Sequence, residues 1–176
     1  MKPLLSVGQS YMALSEGDQK LRDGLIEQAA DSYNKAMQLS RTIPEEEAFD
    51  HQGFDALCHT GLSGAMVKHK HYKEALASAD IALRYFNRRG ELNQDEGKYW
   101  IDAVRNRADA LEGFGRIDDA LEAYRIVGEM IAERKAELTN RPEQQRVNEQ
   151  NISRLLSLVK TVTKPASYKA WWEFWS

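Results

Sequence analysis

The decapeptide GRIDDALEAY, Gly115–Tyr124, superposes on two earlier stretches, GLIEQAADSY at Gly24–Tyr33 and KHYKEALASA at Lys70–Ala79. The copies are offset by 46 and 45 residues. In this register Ala29, Ala75 and Ala120 coincide, as do Ile26, Tyr72 and Ile117. Tyr33 and Tyr124 match, and Ala79 takes their place in the second copy. Small residues are required where two helices cross closely, and larger ones fill the holes beside them. Each copy is therefore predicted to be the second helix of an antiparallel hairpin.

Outward from these segments, apolar residues recur at steps of three and four nearly throughout. Phe54, Leu57, Cys58, Gly61, Leu62, Ala65 and Met66 form one such stripe, predicting a helix from about Glu45 to His69. Thr42, Pro44 and three successive glutamates read as its entrance, with acidic side chains at the positive end of the dipole. Its partner spans about Tyr72 to Asn87, with Gly90 as a stop. Trp100, Ile101, Val104, Ala108, Leu111 and Phe114 line the first helix of a third pair, and Val7, Tyr11, Leu14 and Leu21 that of a first. A seventh helix begins near Asn140 and Pro142, with Ile152, Leu155, Leu156 and Val159 on one face and a polar remainder. The prediction is an all-α solenoid in a single helical domain over 1–163, with repeats at about 6–40, 45–89 and 93–137 and a capping helix at about 141–163. An aromatic tail occupies 164–176.

The third copy resembles the tetratricopeptide repeat (TPR) family. Val104 takes the usual Trp position of that pattern, Ala108 the small-residue position and Leu111 the Tyr position. Gly115 takes the turn glycine, Ala120 the crossing alanine and Tyr124 the aromatic of the second helix. The resemblance covers about residues 6–135, and FNRRGELNQDEGKYW is similar to stand-alone bacterial members with long helices. Two departures leave a generic α-solenoid open. The period exceeds the family's ~34 residues by roughly a dozen, and the repeat-ending proline is missing at the family spacing.

The resemblance implies a concave groove formed by the first helix of each pair. Its usual groove positions map to Tyr11, Leu14, Asp18 and Leu21 in the first copy and to Leu57, Thr60, Gly64 and Val67 in the second. In the third they map to Asp102, Arg105, Asp109 and Glu112. Such a groove would be apolar at one end and mainly acidic at the other, suiting a peptide with apolar anchors and a basic end. Leu57 also lies on the core stripe, and charged helix residues commonly just face water. Family members that grip acidic chaperone tails use Lys, Asn and Arg at set positions. Here those hold Leu14, Asp18, Gly61, Asp102 and Asn106, so that grip is not expected.

The tail SYKAWWEFWS places Tyr168, Trp171, Trp172 and Trp175 on one face of a two-turn helix, with Phe174 beside them. Four such side chains cover on the order of 600–1000 Å², more apolar surface than most monomers expose. The tail is expected to dock on its own chain, on a second copy to give a homodimer, or on another protein.

The formal net charge of −3 supplies no basic field, so nucleic acid is not expected as a partner. No run approaches the roughly 20 apolar residues of a membrane span, no leader is evident, and the lone Cys58 gives no disulfide framework. A cytoplasmic location follows as an expectation. His51, His59, His69 and His71 read as solvated or turn residues rather than metal ligands. Neither a phosphate loop nor a nucleophile–base pair stands out, so no catalytic residue, metal or cofactor is expected. The function expected is a non-enzymatic adaptor binding a partner peptide or protein. A secretion-type chaperone for an apolar export substrate, and a self-assembling subunit using the tail, are the alternatives.

Overall fold

A computed structural model describes residues 2–89, 94–133, 138 and 140–162. Among the described residues there are seven α-helices and no strand. They are α1 (Lys2–Arg22), α2 (Ile26–Ser40), α3 (His51–Lys68), α4 (Tyr72–Arg89), α5 (Gln94–Gly113), α6 (Ile117–Glu133) and α7 (Arg141–Val162). Helices α1/α2, α3/α4 and α5/α6 form hairpins. Each hairpin hands over to the next through α2 on α3, α4 on α5 and α6 on α7. This is the TPR-like helical repeat. None of the described helices is long and apolar enough to cross a membrane.

The hairpin turns share one construction. Gly24, Lys70 and Gly115 all have left-handed backbones, with φ of 78°, 61° and 78°. In each turn the following amide reaches back to close the first helix: Leu25 N–H to Lys20 O, His71 N–H to Met66 O and Arg116 N–H to Leu111 O. The chain then reverses after satisfying carbonyls that a helix end leaves open. Beyond the turns, Ala29, Ala75 and Ala120 are fully buried. Ala29 packs in a cluster with Ala13 and Leu14, and Ala120 in one with Ala108 and Leu111.

Several sequence expectations shift. Helix α3 begins at His51, not Glu45, and α1 runs back to Lys2. Asp50 is the N-cap of α3, its carboxylate accepting from Gly53 N–H at 2.8 Å. Phe49 and Phe54 pack across the cap with ring centroids 5.4 Å apart, an apolar pair that fixes the entry angle. The preceding glutamates lie in an exposed link, anchored by buried Ile43 and half-buried Phe49. Phe114 was expected inside but is 49% exposed, because it follows the end of α5 and leans on Tyr72 at the turn. Leu156 is likewise exposed on the flank of α7. Gly90 and the tail residues Tyr168, Trp171, Trp172, Phe174 and Trp175 lie outside the described residues.

Candidate partner-binding cleft

Helices α1, α3 and α5 wall a cleft of about 880 Å³. Residues three or four apart on a helix share a face, and this spacing puts Tyr11, Leu14, Asp18 and Leu21 of α1 on the cleft. Leu57, Thr60, Gly64 and Val67 follow from α3, and Asp102, Arg105 and Asp109 from α5. Glu112 does not line it. Its carboxylate is held by the Arg154 guanidinium of α7 and accepts from the Tyr124 hydroxyl.

The walls are built around two equivalent hydrogen bonds. Tyr33 donates to Asp18 at 2.9 Å, and Tyr124 donates to Asp109 at 2.5 Å. Both rings are buried. Tyr33 is wedged between α1 and α3, where a Cβ on either Gly17 or Gly61 would run into its ring. Burial pushes the phenols of Tyr33, Tyr99 and Tyr124 well up, so all three remain hydrogen-bond donors at any ordinary pH. In the second copy the corresponding positions are Gly64 and Ala79. There Asn106 of α5 reaches over the glycine and donates to Thr60 O at 3.0 Å and Ser63 Oγ at 2.9 Å. A third tyrosine, Tyr99, crosses from α5 to α1 and donates to Asp18 at 2.6 Å.

The expectation of an acidic end changes once the chain is folded. Asp18, Asp102 and Asp109 share the cleft with Arg22, Lys68, Lys98 and Arg105. Arg105 bonds Asp102 at 2.7 Å and Gln144 of α7 at 3.0 Å. The Asp102 side chain is 51% exposed. Desolvation raises its carboxyl above the ordinary range, against the pull of Arg105 and with a further push from Asp18. Burial also raises Asp109, opposed by the Tyr124 hydrogen bond. Glu112 moves the other way, held down by Arg154. Arg22 and Lys68 escaped the sequence mapping because they sit next to mapped positions, and Lys98 and Tyr99 because they lie one helical turn before the first mapped position of α5. Helical spacing of three and four from the mapped positions was the available signal for Lys98 and Tyr99.

Elsewhere, His69 and His71 are exposed at a turn, as expected. His51 and His59 instead sit half-buried on α3, and burial lowers the His59 imidazole below its ordinary range, against the pull of Asp55. The Cys58 thiol is buried and pushed up, far from the thiolate a nucleophile requires.

The fold has a close counterpart in the crystal structure of a TPR-like protein from Chlorobium tepidum TLS. That protein is 50% identical, with a TM-score of 0.81, and the match covers 88% of this chain and 99% of that one. No curated protein matches the sequence. The model of the family described as Domain of Unknown Function (DUF3856) matches residues 2–144, from the first turn of α1 into α7. With its repeat, its left-handed turns and its cleft in place, the chain belongs to the DUF3856 family and carries a TPR-like helical fold.

Proposed function

We propose that this chain is a non-enzymatic interaction scaffold whose cleft holds a peptide or protein segment of its partner. The observation that carries this reading is the cleft itself. Partly exposed apolar side chains from α1 and α3, Tyr11, Leu21, Leu57 and Val67, stand beside ionised groups from α5. Apolar anchors in a concave surface give affinity, and flanking charges give orientation and register. The bound segment carries apolar anchors spaced along an extended or helical stretch. The buried state of Cys58 fits a scaffold better than a thiol enzyme.

Peptide display against the full chain tests the reading. Enriched peptides should share apolar anchors, and both Val67→Arg and Leu21→Arg should abolish their binding while leaving helicity unchanged. Failure to enrich any peptide, or peptides indifferent to both substitutions, would overturn it.

A further inference from the structure

Helix α7 runs antiparallel to α6. Arg141 donates to Ile131 O at 3.1 Å and Asn148 to Tyr124 O at 2.8 Å. Val159 and Ile117 both pack on the cluster around Leu111 and Ala120. The last turns of α7 therefore lie beside the α5/α6 turn. Close to that end Arg154 holds Glu112, and the Tyr124 hydroxyl joins Glu112 to the cleft residue Asp109. The chain leaves α7 next to the mouth of the cleft, on the side of the third hairpin.

The mouth carries its charges in order. In repeat register Leu21, Val67 and Glu112 stand at one level, with Arg22 and Lys68 one position beyond. Arg22 donates to Gln19 Oε1 at 2.8 Å and Lys68 to Leu21 O at 3.0 Å, both neutral acceptors, and both side chains are exposed. Passing from α7 towards α1, the rim is acidic first, at Asp109, and basic last, at Lys68 and Arg22.

The tail has the opposite signs in the same order. From Ala166 to Ser176 its only charged side chains are Lys169 and then Glu173, with Trp171 and Trp172 between them. Pro165 disfavours helix at Lys164, which allows the chain to depart from the α7 axis. Glu173 is 11 positions past Val162, a reach of about 36 Å when extended. Two helix spacings of roughly 10 Å separate α5 from α1 through α3, so the length suffices.

We propose that residues 166–176 dock in the cleft of their own chain. Trp171 and Trp172 lie against Leu21 and Val67, Lys169 faces Asp109, and Glu173 faces Lys68 and Arg22. The proposal rests on the cleft being a peptide site and names its resident occupant. A tethered segment competes at an effective concentration on the order of millimolar. A partner peptide must displace it, and its apparent affinity falls accordingly.

Tryptophan emission from the full chain tests this. Trp100→Phe leaves Trp171, Trp172 and Trp175 as the only tryptophans. Their emission should be blue-shifted and shielded from acrylamide, and adding Val67→Arg should abolish both effects. Lys68→Glu should weaken the shielding, and Glu173→Lys on top of it should restore it. Solvent-like emission before any cleft substitution overturns the proposal. So does shielding that Val67→Arg leaves intact, or that fades on dilution as docking on a second copy would. Selected peptides that bind the cleft while tail emission stays solvent-like defeat this proposal and leave the cleft reading standing. Should Trp100→Phe fail to fold, Lys68→Cys combined with Glu173→Cys decides. An intramolecular disulfide on oxidation supports docking, and its failure to form overturns it.

Discussion

The first and third hairpins place a tyrosine–aspartate hydrogen bond at one repeat position, whereas the middle hairpin places its own at the far end, from Tyr85 of α4 to Asp50 at the N-cap of α3. In the outer pair a buried tyrosine on the second helix, Tyr33 or Tyr124, donates to an aspartate on the first, Asp18 or Asp109. In the middle pair the same positions hold Ala79 and Gly64. The missing aspartate leaves room on α3, and Asn106 of the following hairpin leans over it. One repeat position therefore does two jobs. In the outer copies it anchors a hydrogen bond between the two helices of a hairpin. In the middle copy it is an open stretch of cleft floor, which Asn106 of the next hairpin overhangs.

Tyr33→Ala and Tyr124→Ala should have the largest consequences. Each empties a fully enclosed aromatic site, which typically costs about 3–5 kcal/mol, read as a lowered midpoint in denaturant titration. If either costs under about 1 kcal/mol, far below that range, the tyrosine is not what holds its hairpin together. The turns allow a sharper contrast. Gly24→Ala and Gly115→Ala force a side chain into left-handed backbone, at a cost of roughly 1–2 kcal/mol. Lys70→Gly removes that strain and should stabilise by up to about 1 kcal/mol. Thermal unfolding should show opposite signs for the outer and middle turns. A Lys70→Gly variant that melts lower would mean the lysine side chain contributes more than its backbone costs.

The smallest effect concerns the carboxyls of α5. Asp102 is raised in the folded chain, so between its unfolded value near ~3.9 and its folded value the native state holds more protons. Stability then falls as pH rises through that window, and Asp102→Asn should remove this slope. Glu112 is lowered, so its contribution is present above its unfolded value and lost as pH falls through the folded one. Glu112→Gln should remove a slope of opposite sign. Stability measured across mildly acidic pH distinguishes the two. Matching slopes would show that the cleft does not separate its acids as described.

Much of this architecture was legible in the sequence. The alignment of Ala29, Ala75 and Ala120 located the crossings, because close packing tolerates only a small residue there. The start of α3 was misplaced because glutamates after a proline imitate a helix entrance. The informative residues were Asp50 and the Phe49–Phe54 pair around it. The left-handed backbone at Lys70 could not be read from its identity, because lysine seldom adopts it; only the repeat register with Gly24 and Gly115 marks the position.

Periodicity by itself determined the hairpins, their order and the faces they bury, because each rests on contacts within a few turns of one helix or between neighbours in the chain. Tertiary structure decided the cleft's charge and its bracing. The hydrogen bond from Tyr99 to Asp18 joins residues 81 positions apart, on helices that do not pack against each other. Such a meeting depends on how small rotations between successive hairpins accumulate, and no local pattern of residues encodes that sum.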